Sequence, residues 1–243
     1  EIERSEAVKG LMRWVRLHPY NISQKVAIVV EHFRENVQPL LDGHAKAMVV
    51  VASRVEAVRW KLALDHYIAE NGYTLGSLVA YSGEVNDPTS LPEPVAETSK
   101  VLNLNLKGRD IRDAFATDEY QVLLVANKFQ TGFDQPLLCG MYVDKRLSGI
   151  QAVQTLSRLN RAYSGPFGVK DTTYILDFVQ QASETAAAVD ILNTLYNPVD
   201  FKVRGRAGIE RDGRRAGGRG RRPLALQGHG QRVEDPLHAA AVY

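Results

Sequence analysis

Met48-Val-Val-Val-Ala52, followed at once by Ser53, is apolar throughout and β-branched at all but its ends. Such a run suits a strand buried on both faces, because a sheet with one wet face would alternate apolar with polar. Ser53 is a good helix cap, and the segment after it reads as a helix to about Glu70, where Asn71-Gly72 stops it. Upstream, residues 23–41 carry Val26, Val29, Val30, Phe33 and Val37 on one stripe, with Ser23 as a possible cap. Downstream the alternation continues. Leu75 to Tyr81 reads as a strand, and Ser82 to Pro94, with three prolines, as a loop. A short helix near Arg109–Phe115 precedes a strand at Gln121–Ala126. Strands at Cys139–Val143 and Thr172–Leu176 enclose a helix from about Ser148 to Arg161, and a last helix covers Ala182–Tyr196.

Strands alternating with helices predict an α/β fold, a parallel sheet with helices on both faces in three layers. Ligands on such sheets gather at the carboxyl ends of the strands. Ser53-Arg54, Ser82-Gly83, Thr131-Gly132 and Asp144-Lys145 all fall at predicted strand ends.

Composition narrows the function classes. The 243 residues are 44% hydrophobic, enough for a sizeable core. The longest apolar runs are strand-length, far short of the ~20 residues a bilayer requires, so no membrane partner is expected. One cysteine, Cys139, excludes an internal disulfide and a cysteine-based zinc site, and the six histidines show no ligand spacing. Trp14, Tyr20 and Trp60 read as packing residues. A cytoplasmic protein is the expectation. The net charge of +2 hides an asymmetry: residues 1–200 carry 20 Lys/Arg against 24 Asp/Glu, and residues 201–243 carry 10 against 4. Any nucleic-acid contact within the body must be local. Eight arginines crowd residues 204–222, where Ile209 is the one large aliphatic. Such a segment cannot bury enough apolar surface to order itself. It reads as a disordered basic arm, a solvated tail or a non-native extension.

The chemistry concentrates in Gln154-Thr-Leu-Ser-Arg158-Leu-Asn-Arg161. On one helix, residues three apart are neighbours, so Arg158 and Arg161 could converge on an anion. Arginine's fork suits phosphate, although a solvated Arg-x-x-Arg face is the commoner occurrence. Ahead of it, Thr131-Gly132-Phe133-Asp134 is either a plain turn or a loop in which Gly132 admits a phosphate or ribose and Asp134 accepts from a hydroxyl or metal-bound water. No Gly-x-x-x-x-Gly-Lys-Ser/Thr loop occurs in the 243 residues.

Five segments together resemble a known family. They are Gln24-Lys-Val-Ala-Ile-Val-Val-Glu-His-Phe33, Lys46 to Arg54, Leu123-Leu-Val-Ala-Asn-Lys-Phe-Gln-Thr-Gly-Phe-Asp-Gln-Pro136, Met141-Tyr-Val-Asp-Lys145, and Gln154 to Arg161. Over residues 10–180 the chain resembles the second RecA-like motor lobe of a superfamily 2 helicase, specifically the restriction (R) subunit of type I restriction-modification enzymes. Ser157 and Asn160 favour that branch, since general helicases usually carry glycine there. The resemblance implies an ATP-dependent DNA translocase and endonuclease, with ATP and Mg2+ held mainly by a first lobe. Arg158 and Arg161 would be the catalytic arginines reaching the γ-phosphate. Gln154, Gly132 and Asp134 would serve the ATP site, while Ser53, Arg54, Ser82, Gly83 and Thr131 would touch the DNA backbone. No metal ligand is expected within this chain. The implied partners are double-stranded DNA, the first RecA-like lobe, and methylation and specificity subunits.

The expected organisation is a linker or helix at 1–22, the motor lobe at 23–200 and a tail at 201–243. The chain is expected to be a fragment, inactive alone. Two other readings stay open: a stand-alone, non-catalytic nucleic-acid-binding module, or the lobe of another superfamily 2 enzyme such as a repair helicase.

Overall fold

A computed structural model describes residues 10–11, 13–129, 132–147, 149–179, 200–204 and 210–212. Strand β1 (Lys46–Val51) is buried at all six positions. Side chains alternate across a strand, and here both sides are dry. Ala47, Val49 and Val51 enter one hydrophobic cluster, and Met48 and Val50 enter a second. Flanking it in parallel are β5 (Val122–Ala126) and β6 (Leu138–Asp144), which place Leu124 and Tyr142 beside Val49. Outside them lie β2 (Ser77–Ala80) and β9 (Thr172–Asp177), again parallel. The expected parallel sheet is thus observed.

The sheet also continues past its expected end. β10 (Asp200–Arg204) pairs parallel with β9, and β11 (Glu210–Asp212) pairs antiparallel with β10. Residues 201–204 and 210–212 therefore belong to the sheet rather than to a tail beginning at 201. The helix expected at 182–196 lies outside the described residues. Two short strand pairs were not legible in the sequence: β3 (Glu84–Val85) pairs with β4 (Val95–Ala96) inside and just past the 82–94 loop, and β7 (Ser164–Gly165) with β8 (Gly168–Val169) before β9.

Helices form a layer on each face. α1 (Pro19–His32) and α2 (Arg54–Glu70) cover the first cluster, through residues such as Val26, Val30, Trp60 and Leu64. α3 (Ile111–Ala116) and α4 (Gly149–Leu156) cover the second, through Phe115, Ala152 and Leu156. The α2 boundaries match the sequence reading. Ser53 Oγ accepts from Glu56 N at 3.2 Å, and Gly72 takes a φ of +66° just past the end.

α1 starts earlier than 23. Pro19 stands at its first position, where a missing N–H costs nothing, and His18 Nδ1 accepts from Tyr20 N. Ser23 is no cap; its hydroxyl donates to Tyr20 O within the helix. Ile22 is buried, so the lobe includes residues assigned to a preceding linker. Past His32 the chain widens into a π-helix at Phe33–Val37, which keeps both end residues buried, and Pro39 leads into a 3-10 turn at Leu40–Gly43. Val37 packs so closely on Gly140 of β6 that a Cβ there would sit 3.1 Å from it. Trp60 is buried as expected, but Trp14 and Tyr20 are exposed and do not pack in the core.

The β2 edge of the sheet is closed by a side chain. Asn103 Oδ1 accepts from Val79 N at 3.0 Å, and its Nδ2 donates to Val79 O at 2.9 Å. One amide thus supplies the pair of hydrogen bonds that a further strand would have made, which blunts an edge open to foreign strands. Asn103→Ala should leave both Val79 groups unpaired in a buried site and cost about 2–4 kcal/mol, read as a lower urea midpoint at unchanged slope.

Lys46, at the start of β1, is buried, with its ammonium over the Phe115 ring and donating to Thr117 O and Tyr120 O. Burial pushes its pKa down to about 8, against an ordinary 10.5, with Asp118 opposing the shift. Between those two values the unfolded chain binds more protons than the folded one, so stability should rise as pH climbs through that window. Urea titrations at pH 7.5, 9 and 10.5 should show the rise, and Lys46→Met should reduce it, leaving the share of Lys170, whose pKa burial also pushes down to about 8.

Candidate functional site

The connection between β5 and β6, residues 127–137, sets the geometry. It leaves the carboxyl end of β5 and re-enters at the amino end of β6, where Leu137 O accepts from Lys46 N. It therefore runs the length of the sheet. Among its described residues no helix covers this crossing; Phe129 and Phe133 do so, buried in the second cluster with ring centroids 5.1 Å apart, and Phe133 reaches Phe115. Thr131 lies outside the described residues. Gly132 is exposed at φ +68° with open space around it, so the backbone conformation, and not crowding, calls for glycine.

Arg158 and Arg161 meet this connection near its far end. Arg158 donates from Nη1 to Phe133 O at 2.8 Å, and Arg161 Nε lies 3.2 Å from Asp134 Oδ1. Burial lowers the Arg158 pKa, the neighbouring Arg161 charge lowers it further, and Asp134 partly restores it. The two guanidiniums thus sense each other across a part-wet site with one carboxylate between them. Asp134 is an arginine partner in this structure. Between the arginines in the chain, Asn160 has both amide atoms shielded from solvent with no hydrogen-bond partner.

The convergence does not come from helical spacing as expected. α4 ends at Leu156, and residues 157–160 form successive tight turns, with Leu159 N bonded to Leu156 O and Asn160 N to Ser157 O. Gln154 sits exposed in the last turn of α4, where its carbonyl accepts from Ser157 Oγ. Lys170, which no motif marked, fastens the turn: its Nζ donates to Arg161 O and Pro136 O. It stands just before β9, so the arginine cluster lies toward the amino ends of β6 and β9. Burial pushes the Lys170 pKa down to about 8.

A second group forms at the opposite end of the sheet. Arg54 Nη1 donates to Ser82 O at 2.9 Å and would stand 3.0 Å from a Cβ on Gly83, while Ser53 caps α2 alongside. Ser53, Arg54, Ser82 and Gly83 therefore do come together, at the carboxyl ends of β1 and β2. Gly132 and Asp134 do not share that edge; they belong with Arg158 and Arg161. Asp144 and Lys145 also reach it, but Asp144 is buried against Lys25 at 2.6 Å, and Lys145 donates to Asn127 Oδ1 at 2.8 Å. The loop after Ser82 is pinned by Asp87, which accepts two bonds from Arg59 and is held strongly ionised by them.

Among the described residues, no group of three acidic, histidine or cysteine side chains could hold a metal ion, and no helix is long and apolar enough to cross a membrane. Arg158 and Arg161 have the donor chemistry that suits a multiply charged phosphate, which takes several donors at once.

Comparisons with known proteins fall on the same segment. The family described as Type I restriction enzyme subunit R domain 3 matches residues 95–180, which contain the whole arginine cluster. The endonuclease subunit named for the type I restriction enzyme MjaVIIP of Methanocaldococcus jannaschii is 29% identical over 199 residues, 77% of this chain and 18% of that protein. The type I restriction enzyme HindI endonuclease subunit of Haemophilus influenzae is 26% identical over 163 residues, 65% of this chain and 15% of that protein. The chain thus spans less than a fifth of these relatives. A solved fragment of an HsdR subunit from Vibrio vulnificus overlaps 86% of this chain and 35% of its own, at 14% identity and a TM-score of 0.42, and the fold rests instead on the strand order above. Over residues 95–180 this chain is similar to the restriction subunits of type I restriction enzymes.

Proposed function

We propose that this chain is the second motor lobe of an ATP-dependent DNA translocase, the restriction subunit of a type I restriction endonuclease. The observation that carries the reading is the meeting of Arg158, Arg161 and Asp134, in the segment that matches the family, at one end of a parallel sheet. ATP would lie between this lobe and a first RecA-like lobe elsewhere in the protein, with Mg2+ held mainly there. Bound there, ATP supplies the phosphoryl group whose transfer to water powers movement along DNA.

The chain's own contribution is electrostatic. Arg158 donates from Nη1 to Phe133 O, a bond that helps to aim its guanidinium. Arg161 is half-exposed and paired only with a still more exposed carboxylate. An exposed pair of this kind is worth little, so a phosphate can displace Asp134 at small cost. The two charges would then face negative charge that grows as the terminal phosphate departs, the arrangement that lowers the barrier most. Gln154 lies on the exposed turn before the pair. Ser53, Arg54, Ser82 and Gly83, at the opposite edge, would track the DNA backbone, as would Thr131, through contacts that carry no sequence information and so permit translocation. Methylation and specificity subunits would complete the complex.

In the parent enzyme, Arg161→Ala and Arg158→Ala should each lower ATP hydrolysis by about a thousandfold. Circular dichroism and the melting temperature should stay near wild type for Arg161→Ala, whereas Arg158→Ala should also lose about 1 kcal/mol with its Phe133 bond. The purified 243-residue chain should turn over no ATP. DNA-stimulated hydrolysis by that chain, lost on Arg161→Ala, would overturn the reading.

A further inference from the structure

Glu97 occupies a position that no motif marks and that the arginine cluster does not need. Its two carboxylate oxygens serve different elements. One accepts from Tyr81 N at 2.7 Å, directly before Ser82-Gly83, and the other pairs with Lys128 Nζ, at the start of the 127–137 connection. Its backbone carbonyl accepts from Asn103 Nδ2 at 2.7 Å, so the carboxylate is anchored from behind to the residue that closes the β2 edge. Glu97 and Lys128 are both largely shielded, with side-chain exposures of 17% and 27%.

The connection that Lys128 begins is under tension. Asn127 and Phe129, on either side of Lys128, both take positive φ, at 54° and 61°. Asparagine tolerates that region, but a bulky aromatic does so only when its surroundings hold it there. Phe129 is held by burial, by Lys128 over its ring at 5.3 Å and by Arg112 at 5.1 Å. At the far end the same connection carries Phe133 and Asp134 to Arg158 and Arg161.

Building on the function proposed above, we infer that Glu97 and Lys128 form the tie through which the backbone-gripping loop at Ser82-Gly83 and the arginine cluster sense each other. Neither residue touches the reacting groups; both are positioning residues. A shift of Ser82-Gly83 on engaging duplex DNA pulls on Tyr81 N, hence on Glu97 and Lys128, and the strained connection transmits it to the carbonyl that aims Arg158. By reciprocity, occupation of the arginine cluster alters the grip on DNA.

The test uses the parent restriction complex bearing Glu97→Gln, Lys128→Met or both, beside Arg161→Ala. Glu97→Gln keeps an oxygen for Tyr81 N and removes the charge that faces Lys128; Lys128→Met keeps the stem over Phe129. ATP hydrolysis is measured without DNA and across a duplex-DNA titration, with thermal unfolding in parallel. Both single variants should keep the DNA-free rate and the melting temperature while losing DNA stimulation by about tenfold, a usual size for coupling between two sites. The double variant should be no worse than either single one, as for two halves of one contact. Normal DNA stimulation in the single variants, additive losses, or a DNA-free rate that falls in step with the melting temperature would each overturn the tie. If those results accompany an inactive Arg161→Ala, the tie alone fails; an active Arg161→Ala removes the ATP-site reading and the tie with it.

Discussion

A strand with no solvent face needs a layer on each side, and β1 has none from Lys46 to Val51. That constraint organises the lobe. α1 and α2 fill one side, α3 and α4 the other, and the two hydrophobic clusters divide the strand's residues by parity. Parallel neighbours follow, because helical crossovers return the chain to the same edge of the sheet. The crossing from β5 over β1 to β6, which has no helix among its described residues, still has to cover β1. It does so with Phe129 and Phe133, and this need fixes the path of residues 127–137 down the sheet. Asp134 is carried to the arginines because Phe133 must be buried.

That path separates two kinds of chemistry that share one sheet. Carboxyl strand ends bring Ser53, Arg54, Ser82 and Gly83 together through a cap and one side-chain bond. The arginine cluster instead forms near the strands' beginnings, where Lys170 gathers the carbonyls of Pro136 and Arg161. A buried ammonium needs acceptors, and here its acceptors are the two chain segments that carry Asp134 and Arg161. The lysine's own desolvation thereby holds the cluster in register.

The sequence made the layers legible because period and composition report burial directly: an unbroken Met48–Ala52 run leaves little alternative to a two-sided strand. α2 was equally clear, since Ser53 and Asn71-Gly72 act within a few residues of the ends they define. The start of α1 was misplaced because Ser23 has capping chemistry, yet Pro19 and His18 occupy the end first. The site was legible by residue type and not by geometry. Arg158 and Arg161 are the right residues, but α4 stops at Leu156, and their meeting depends on tight turns fastened from Lys170, far along the chain. Nothing local in the sequence encodes that. Glu97, Asn103 and Lys170 share this opacity: each acts through a contact 9 to 34 residues away and sits in no periodic pattern.

The contrast between the two arginines carries the electrostatic logic furthest. Arg158 is partly desolvated and bonded to a carbonyl, which helps to fix its direction, and it also feels the Asp134 charge. Arg161 is compensated, but by an exposed carboxylate whose hold is screened by water and salt. Asp134 damps the repulsion between the two like charges while the site is empty, and a ligand bearing more charge than one carboxylate displaces it with a net gain. Asp134 therefore acts as a stand-in anion, and the strength of the replacing ligand, set by its charge and number of acceptors, decides whether the pair opens.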